Sequence, residues 1–178
     1  MRAVIVYESV FGNTREVAEE IAAGIHDVRS DAVVRCVPVA DADTEVTRPA
    51  DLLVVGGPTH MRGMSSGLSR KLAGMPGMAV GAKDEGTLEA HHADTEGPGL
   101  RAWFHSLPDA ENGTHAAAFD TRGPTEHGKG AAGGIARRLS HHHYDVMAEP
   151  EGFVVDGIDG PLHPGERRRA RSWGAALV

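Results

Sequence analysis

Four polar or flexible residues within six positions carry the most chemistry in this chain: Ser9, Gly12, Asn13 and Thr14, in the run Ser9-Val10-Phe11-Gly12-Asn13-Thr14. Ser9, Asn13 and Thr14 supply side-chain polar groups, and Gly12 lets the backbone approach a ligand closely. The run follows an apolar stretch, Val4–Tyr7, and precedes an amphipathic one, so a strand ends, turns and enters a helix there. A helix start adds unpaired N–H groups and the positive end of the helix dipole. Together these make an anion site suited to a phosphate monoester. The bland alternative is a strand-to-helix turn in which Asn13 only caps the helix, with Glu16 completing a capping box.

Such a loop needs a sheet to present it, and the patterning of the chain supplies one. Arg2–Tyr7 is almost continuously apolar, as in a strand covered on both faces. Thr14–Ile25 follows as a helix with Val17, Ala18, Ile21, Ala22 and Ile25 on one stripe. Ala32–Val37 reads as a second strand, limited by Pro38 and placed at an edge, and Asp51–Val55 as a third that ends at Gly56-Gly57-Pro58. Ser65–Leu72 reads as a helix, Leu100–Leu107 as a short helix, Ala116–Phe119 as a fourth strand and Gly133–His142 as a helix. Tyr144–Met147 and Phe153–Val155 are pieces of a fifth strand region. Pro164–Leu177 closes as a helix with Ala170, Trp173 and Leu177 on one face. This alternation predicts an α/β domain, a doubly wound five-stranded parallel sheet with helices on both faces. In such sheets ligands bind outside the carboxyl ends of the strands. The loops after strands one, three and four therefore belong to one site. The glycine-rich stretch 74–99 fits neither period and reads as a mobile insertion in a single domain spanning residues 1–178.

The net charge of −7 argues against general affinity for nucleic acid or anionic membrane and suits a partner with a basic docking face. The apolar run Ala3–Tyr7 is too short for a signal peptide or a span, so a cytoplasmic location is expected. A lone Cys36 gives neither a disulfide framework nor a thiolate cluster, and fills space in a strand. No hydroxyl stands with a base as a nucleophile would, and Gly-x-Ser-x-Gly is absent, so no catalytic residue is assigned. The eleven histidines include no His-Glu-x-x-His pair, and the run His141-His142-His143 suits a helix C-terminus. Gly123–Lys129 almost spells a nucleotide P-loop, but Gly130 stands where Ser or Thr would hold magnesium. Gly128–Gly133 satisfies a dinucleotide pattern, yet lies several residues past its strand.

Three segments in order resemble the flavodoxin family. Ser9-Val10-Phe11-Gly12-Asn13-Thr14 resembles its phosphate loop, with Phe11 where many members have Thr. Asp51–Met61, ending Gly57-Pro58-Thr59-His60-Met61, resembles the third strand and the first of two flavin-ring loops. Ala116–Gly123 resembles the fourth strand and second ring loop, beginning Asp120-Thr121-Arg122-Gly123. The resemblance implies strand order 2-1-3-4-5 and noncovalent FMN used for electron transfer with a redox partner protein or a small acceptor. It implies that residues 9–14 hold the phosphate, with Pro58, Thr59, His60 and Met61 on one side of the ring and Thr121, Arg122 and Gly123 on the other. Flavodoxins usually stack aromatic residues on the ring, whereas neither loop here carries Trp, Tyr or Phe, leaving His60, Met61 and Arg122 to take that place. Two alternatives stay open: a small FMN-dependent quinone-type reductase roofed by residues 74–99, and an interaction module without a cofactor.

Overall fold

The computed structural model describes residues 1–60, 63–64, 99–111, 113–124, 130–157 and 160–178, with the backbone alone at 60, 63 and 64. The helix expected over Ser65–Leu72 and the insertion expected over 74–99 lie outside these residues, apart from Gly99. Strands β1 (Arg2–Tyr7), β2 (Val33–Pro38), β3 (Leu52–His60) and β5 (His115–Arg122) are joined by parallel ladders in the order β2-β1-β3-β5. The fifth position is shared by two short strands. β6 (Asp145–Val146) pairs with the start of β5 and β7 (Glu151–Val154) with its end, both parallel. The parallel order is therefore 2-1-3-4-5, and the only antiparallel ladder among the described residues joins β4 (Gly63–Met64) to the end of β3.

Alternation along the strands sorts the core into two layers. Val4, Val6, Leu53, Val55, Ala116 and Ala118 face one side, packed with Trp103, Phe104, Ile135 and Leu139. Ala3, Ile5, Leu52, Val54, Ala117 and Phe119 face the other, packed with Val17, Ile21, Ile25 and Ala170. The first layer is covered by α3 (Leu100–Trp103) and α4 (Gly130–His141), the second by α1 (Asn13–Val28) and α5 (Glu166–Ala175). Between β2 and β3 a 3-10 turn, Val39–Asp41, leads into a one-turn helix α2 (Thr44–Thr47), where Asp43 accepts from Val46 N–H at 2.9 Å. The periodicity hid both, being too short to show a period. Trp103 holds α3 to this connection by donating its indole N–H to the Ala42 carbonyl. Cys36 lies partly buried in β2 and donates to the Ala18 carbonyl; burial, then the charge of Glu19, pushes its thiol up to about 11.

Two expectations from the sequence are corrected. β3 does not end at Gly56 but runs on through Gly-Gly-Pro to His60, hydrogen-bonded to β5 as far as Pro58 opposite Thr121. The glycines serve packing: a Cβ at Gly56 would overlap the Phe119 ring, and one at Gly57 would lie 2.6 Å from a Leu100 methyl. Nor does Asn13 cap α1. The N-cap is Gly12 and makes no side-chain cap bond, while Glu16 pairs with Arg167 of α5.

α1 and α5 cross with their backbones in contact. A Cβ at Gly24 would overlap the Arg171 carbonyl and lie 2.9 Å from Ala175 N, and one at Gly174 would overlap the backbone of Ile21. Gly24→Ala should therefore cost about 1–3 kcal/mol through overpacking, although the same exchange on a free helix face gains about 1 kcal/mol. An unchanged urea midpoint would show that the two helices do not meet there.

The outer edge of β7 is closed by side chains of α5. Glu166 accepts from Val154 N–H at 2.7 Å, while Arg169 donates to the Gly152 carbonyl, pairs with Glu166 and Glu151, and lies over the Phe153 ring. This Glu–Arg pair does for the strand what a neighbouring backbone would do. Burial alone would raise the Glu166 pKa, but the hydrogen bonds from Arg169 and Val154, with the Arg169 charge, bring it below its ordinary 4.5. The stability it contributes is thus present above pH 4.5 and lost as pH falls through the depressed value. Glu166→Gln should be about 1–2 kcal/mol less stable than wild type at pH 7. That gap should close on acidification; a gap constant down to pH 3 would exclude the ionised pair.

Candidate functional site

The ends of β1, β3 and β5 meet at one edge of the sheet, and the first loop there is built around Gly12. At φ 89° and ψ −23°, Gly12 adopts a left-handed conformation that side chains resist, and it turns the chain from β1 into α1. Such a turn lines up successive N–H groups around a concavity, a nest for an anion. Ser9 Oγ accepts from Gly12 N–H at 3.1 Å and from Arg15 N–H at 3.4 Å. The N–H groups of Val10, Phe11, Asn13 and Thr14 meet no acceptor among the described residues. They form an unfilled donor set at the N-terminus of a 16-residue helix.

Side chains of the same loop tie it to its surroundings. The Thr14 hydroxyl is 2.8 Å from that of Thr121, joining the first loop to the end of β5. Asn13 Nδ2 donates to the Gly160 carbonyl at 2.7 Å. Gly160 belongs to the return after β7, which is held by a bridge between Val155 and Leu162 and by Asp156 N–H to the Pro161 carbonyl. The Asn13 side chain thus fastens a third segment beside the nest.

The ends of the two other strands, β3 and β5, are locked on the opposite face of the sheet. Asp120, wholly buried at the end of β5, receives Arg122 Nε at 2.7 Å on one oxygen and Arg122 Nη2 at 2.9 Å on the other. Ala132 N–H donates to the same carboxylate at 2.8 Å, and the Thr59 hydroxyl also bonds it. Thr59 Oγ1 accepts from Ala131 N–H at 2.8 Å. Two glycines make room: a Cβ at Gly130 would overlap Asp120 and lie 2.8 Å from Thr59 Oγ1, and one at Gly152 would overlap the Arg122 guanidinium. Burial raises the Asp120 pKa above 3.8 despite the opposing pull of Arg122, Ala132 and Thr59. Two donors at the start of α4, where glycine patterns hinted at a nucleotide, are thereby engaged by the protein's own side chains.

The sequence-predicted residues therefore gather as two connected groups. Residues 9–14 meet Thr121 through Thr14, and Pro58 and Thr121 are partners in the β3–β5 ladder. Arg122 points into the Asp120 pair, and Thr59 joins it. Gly123 follows directly, half-buried. The His60 side chain and Met61 lie outside the described residues. Sequence reasoning missed the pairing role of Asp120, and missed Glu8 altogether. Glu8 is buried just past β1; its carboxylate accepts from Leu100 N–H at 2.9 Å and its own N–H donates to the Gly56 carbonyl. A carboxylate directly after a solidly apolar strand was the available signal for both.

No family model matches the chain, and no curated protein matches it in sequence. Solved structures do match. A flavodoxin from the domain Archaea superposes with TM-score 0.62 at 20% identity, covering 99% of this chain and 96% of that one. Flavodoxin 2 from Bacillus cereus gives 0.61 at 16% identity, over 99% and 97%. The flavodiiron protein from Giardia intestinalis gives 0.59 at 17% identity, over 99% of this chain and 35% of that one. The fold is flavodoxin-like, and the chain spans nearly the whole of the two flavodoxins but about a third of the flavodiiron protein. No described helix is long and apolar enough to cross a membrane.

Gly12→Ala tests the nest, because a Cβ at this φ stores about 1–3 kcal/mol of strain. The variant should unfold at correspondingly lower urea. Unaltered stability would mean that the turn does not use the left-handed conformation.

Proposed function

We propose that this chain binds FMN noncovalently and transfers electrons through it. The observation that carries the reading is the unfilled donor set of Val10, Phe11, Asn13 and Thr14 around left-handed Gly12, in a loop that ends a parallel strand of a flavodoxin-like sheet. A phosphate monoester supplies the acceptors and the negative charge that such a set lacks. Ser9, Asn13 and Thr14 flank those donors, and the Ser9 and Thr14 hydroxyls can turn to a phosphate oxygen. Pro58, Thr59, His60 and Met61 would border the ring on one side, and Thr121 and Gly123 on the other, with Arg122 held behind by Asp120. When bound, the flavin supplies the redox chemistry; the protein anchors it, excludes water and sets the charge around it. The acidic chain suits a donor or acceptor protein with a basic docking face.

A cofactor-less interaction module is the competing reading. It is favoured by one observation: of the ring-loop residues, Arg122, offered as a stacking group, is committed to Asp120. Titration separates the two. FMN should bind stoichiometrically and roughly a hundredfold tighter than riboflavin, as two charge-assisted hydrogen bonds to the phosphate would give. Equal affinity for the two would move the phosphate elsewhere, and no binding of either would favour the module.

A further inference from the structure

A buried carboxylate that tethers three elements next to a ligand site does more than fill space. Asp120 joins the end of β3 through Thr59, the end of β5 through Arg122 and the first turn of α4 through Ala132 N–H. These are the two segments that would flank the ring, together with the helix that follows the second of them. The surroundings are shaped for the pair: Gly130 at φ 51° and Gly152 in β7 both lack the Cβ that would collide with it. A carboxylate–guanidinium fork at 2.7 and 2.9 Å fixes orientation as well as charge.

We propose that Asp120 is a positioning residue of the flavin site, holding Thr59, Arg122 and the start of α4 as one rigid unit, and that the charge balance of the Asp120–Arg122 pair sets the reduction potential of the bound flavin. This rests on the FMN reading above. Reduction adds negative charge to the cofactor, so a fixed charge nearby shifts the potential with a defined sign. One unit of charge at the effective dielectric of a protein interior is worth about tenfold in such an equilibrium. Removing the Asp120 charge makes the surroundings one unit more positive and favours reduced flavin. Removing the Arg122 charge does the opposite, whatever else Arg122 touches.

The test is the two-electron potential of the FMN-loaded full chain at pH 7, for wild type, Asp120→Asn, Arg122→Gln and the double variant, beside FMN titrations. Asp120→Asn should raise the affinity for reduced over oxidised FMN about tenfold, a shift of about 30 mV to more positive potential. Arg122→Gln should move it by a similar amount to more negative potential, and the double variant should return close to wild type. A purely architectural role would weaken binding or stability in both single variants without opposite shifts, and that result would overturn the proposal. So would unchanged potentials with FMN bound. If Asp120→Asn does not fold, Arg122→Gln and the double variant carry the sign between them. Wild type that binds no FMN is a separate outcome: it removes the FMN reading at the first titration and this inference with it.

Discussion

The pleat of the sheet governs everything at its carboxyl edge. Side chains alternate between faces along β1, β3 and β5, and that alternation continues past the last core residue into the loops. Ala116 and Ala118 face α4, so Asp120 does too, and Arg122 follows it. Ala117 and Phe119 face α1, so Thr121 meets Thr14. Leu53 and Val55 precede Thr59 on the α4 face, which brings its hydroxyl to Ala131 N–H. A shift of one residue in the β3–β5 register would carry Asp120, with Arg122 beside it on the same strand, into the α1 layer and away from Ala132 and Thr59. The bonds from Asp120 to its neighbours on α4 and β3 and the register therefore specify each other.

That parity produces two helix starts at one edge with opposite states. At α4 the donors of Ala131 and Ala132 are met by Thr59 and Asp120, an anion supplied by the chain itself. At α1 the N-cap is a glycine with no side-chain cap, Ser9 takes the Gly12 and Arg15 donors, and four further N–H groups meet no acceptor among the described residues. The same physics, donors with a positive dipole end, is used at α4 for architecture, and at α1 it is what the FMN reading would use for a phosphate. The open start is also the well-supported one. Helix α1 is pressed against α5 at Gly24 and Gly174, and its first turn is tied to α5 through Glu16 and Arg167. The nest is thus held by packing that does not depend on a bound anion.

The layered fold was legible because its signals are periodic. Solid apolar runs marked β1, β3 and β5, and the stripe Val17-Ala18-Ile21-Ile25 marked α1. What escaped were features whose cause lies in another part of the chain. Gly56-Gly57-Pro58 resembles a turn locally, and only Phe119 and Leu100 across the sheet explain why those glycines sit inside a strand. Asn13 with Glu16 has the spacing of a capping box, yet Gly160 and Arg167, each about 150 residues away, take their side chains. The strand-to-helix turn around Gly12 was readable as a local motif. The commitment of Arg122 to Asp120 was not, because two residues of opposite charge at i and i+2 look exposed until the strand is known to continue beneath them.

How such a site could hold a planar ring without aromatic walls follows from these constraints. Among the described residues that the FMN reading sets beside the ring, Pro58, Thr59, Thr121, Arg122 and Gly123, none is aromatic, and Arg122 is held by Asp120. On that reading, recognition would lean on the phosphate end, where backbone N–H groups and a helix dipole act together. The ring end would contribute through rigidity. Thr59 and Asp120 are bonded to the start of α4, Pro58 and Thr121 are paired in the sheet, and Thr14 joins Thr121. A loop already fixed in place loses little conformational entropy when a ligand arrives, so weaker contacts suffice for the same affinity. The buried Asp120 carboxylate carries a desolvation cost, visible in its raised pKa, and that cost is offset by the fork to Arg122 and the donors of Thr59 and Ala132. A hydrophobic pair would fill the same volume at less cost but would leave the Ala132 N–H unmet and the ends of β3 and β5 untied from α4. Retaining the charge pair makes sense where the position of those strand ends matters more than the stability of the domain.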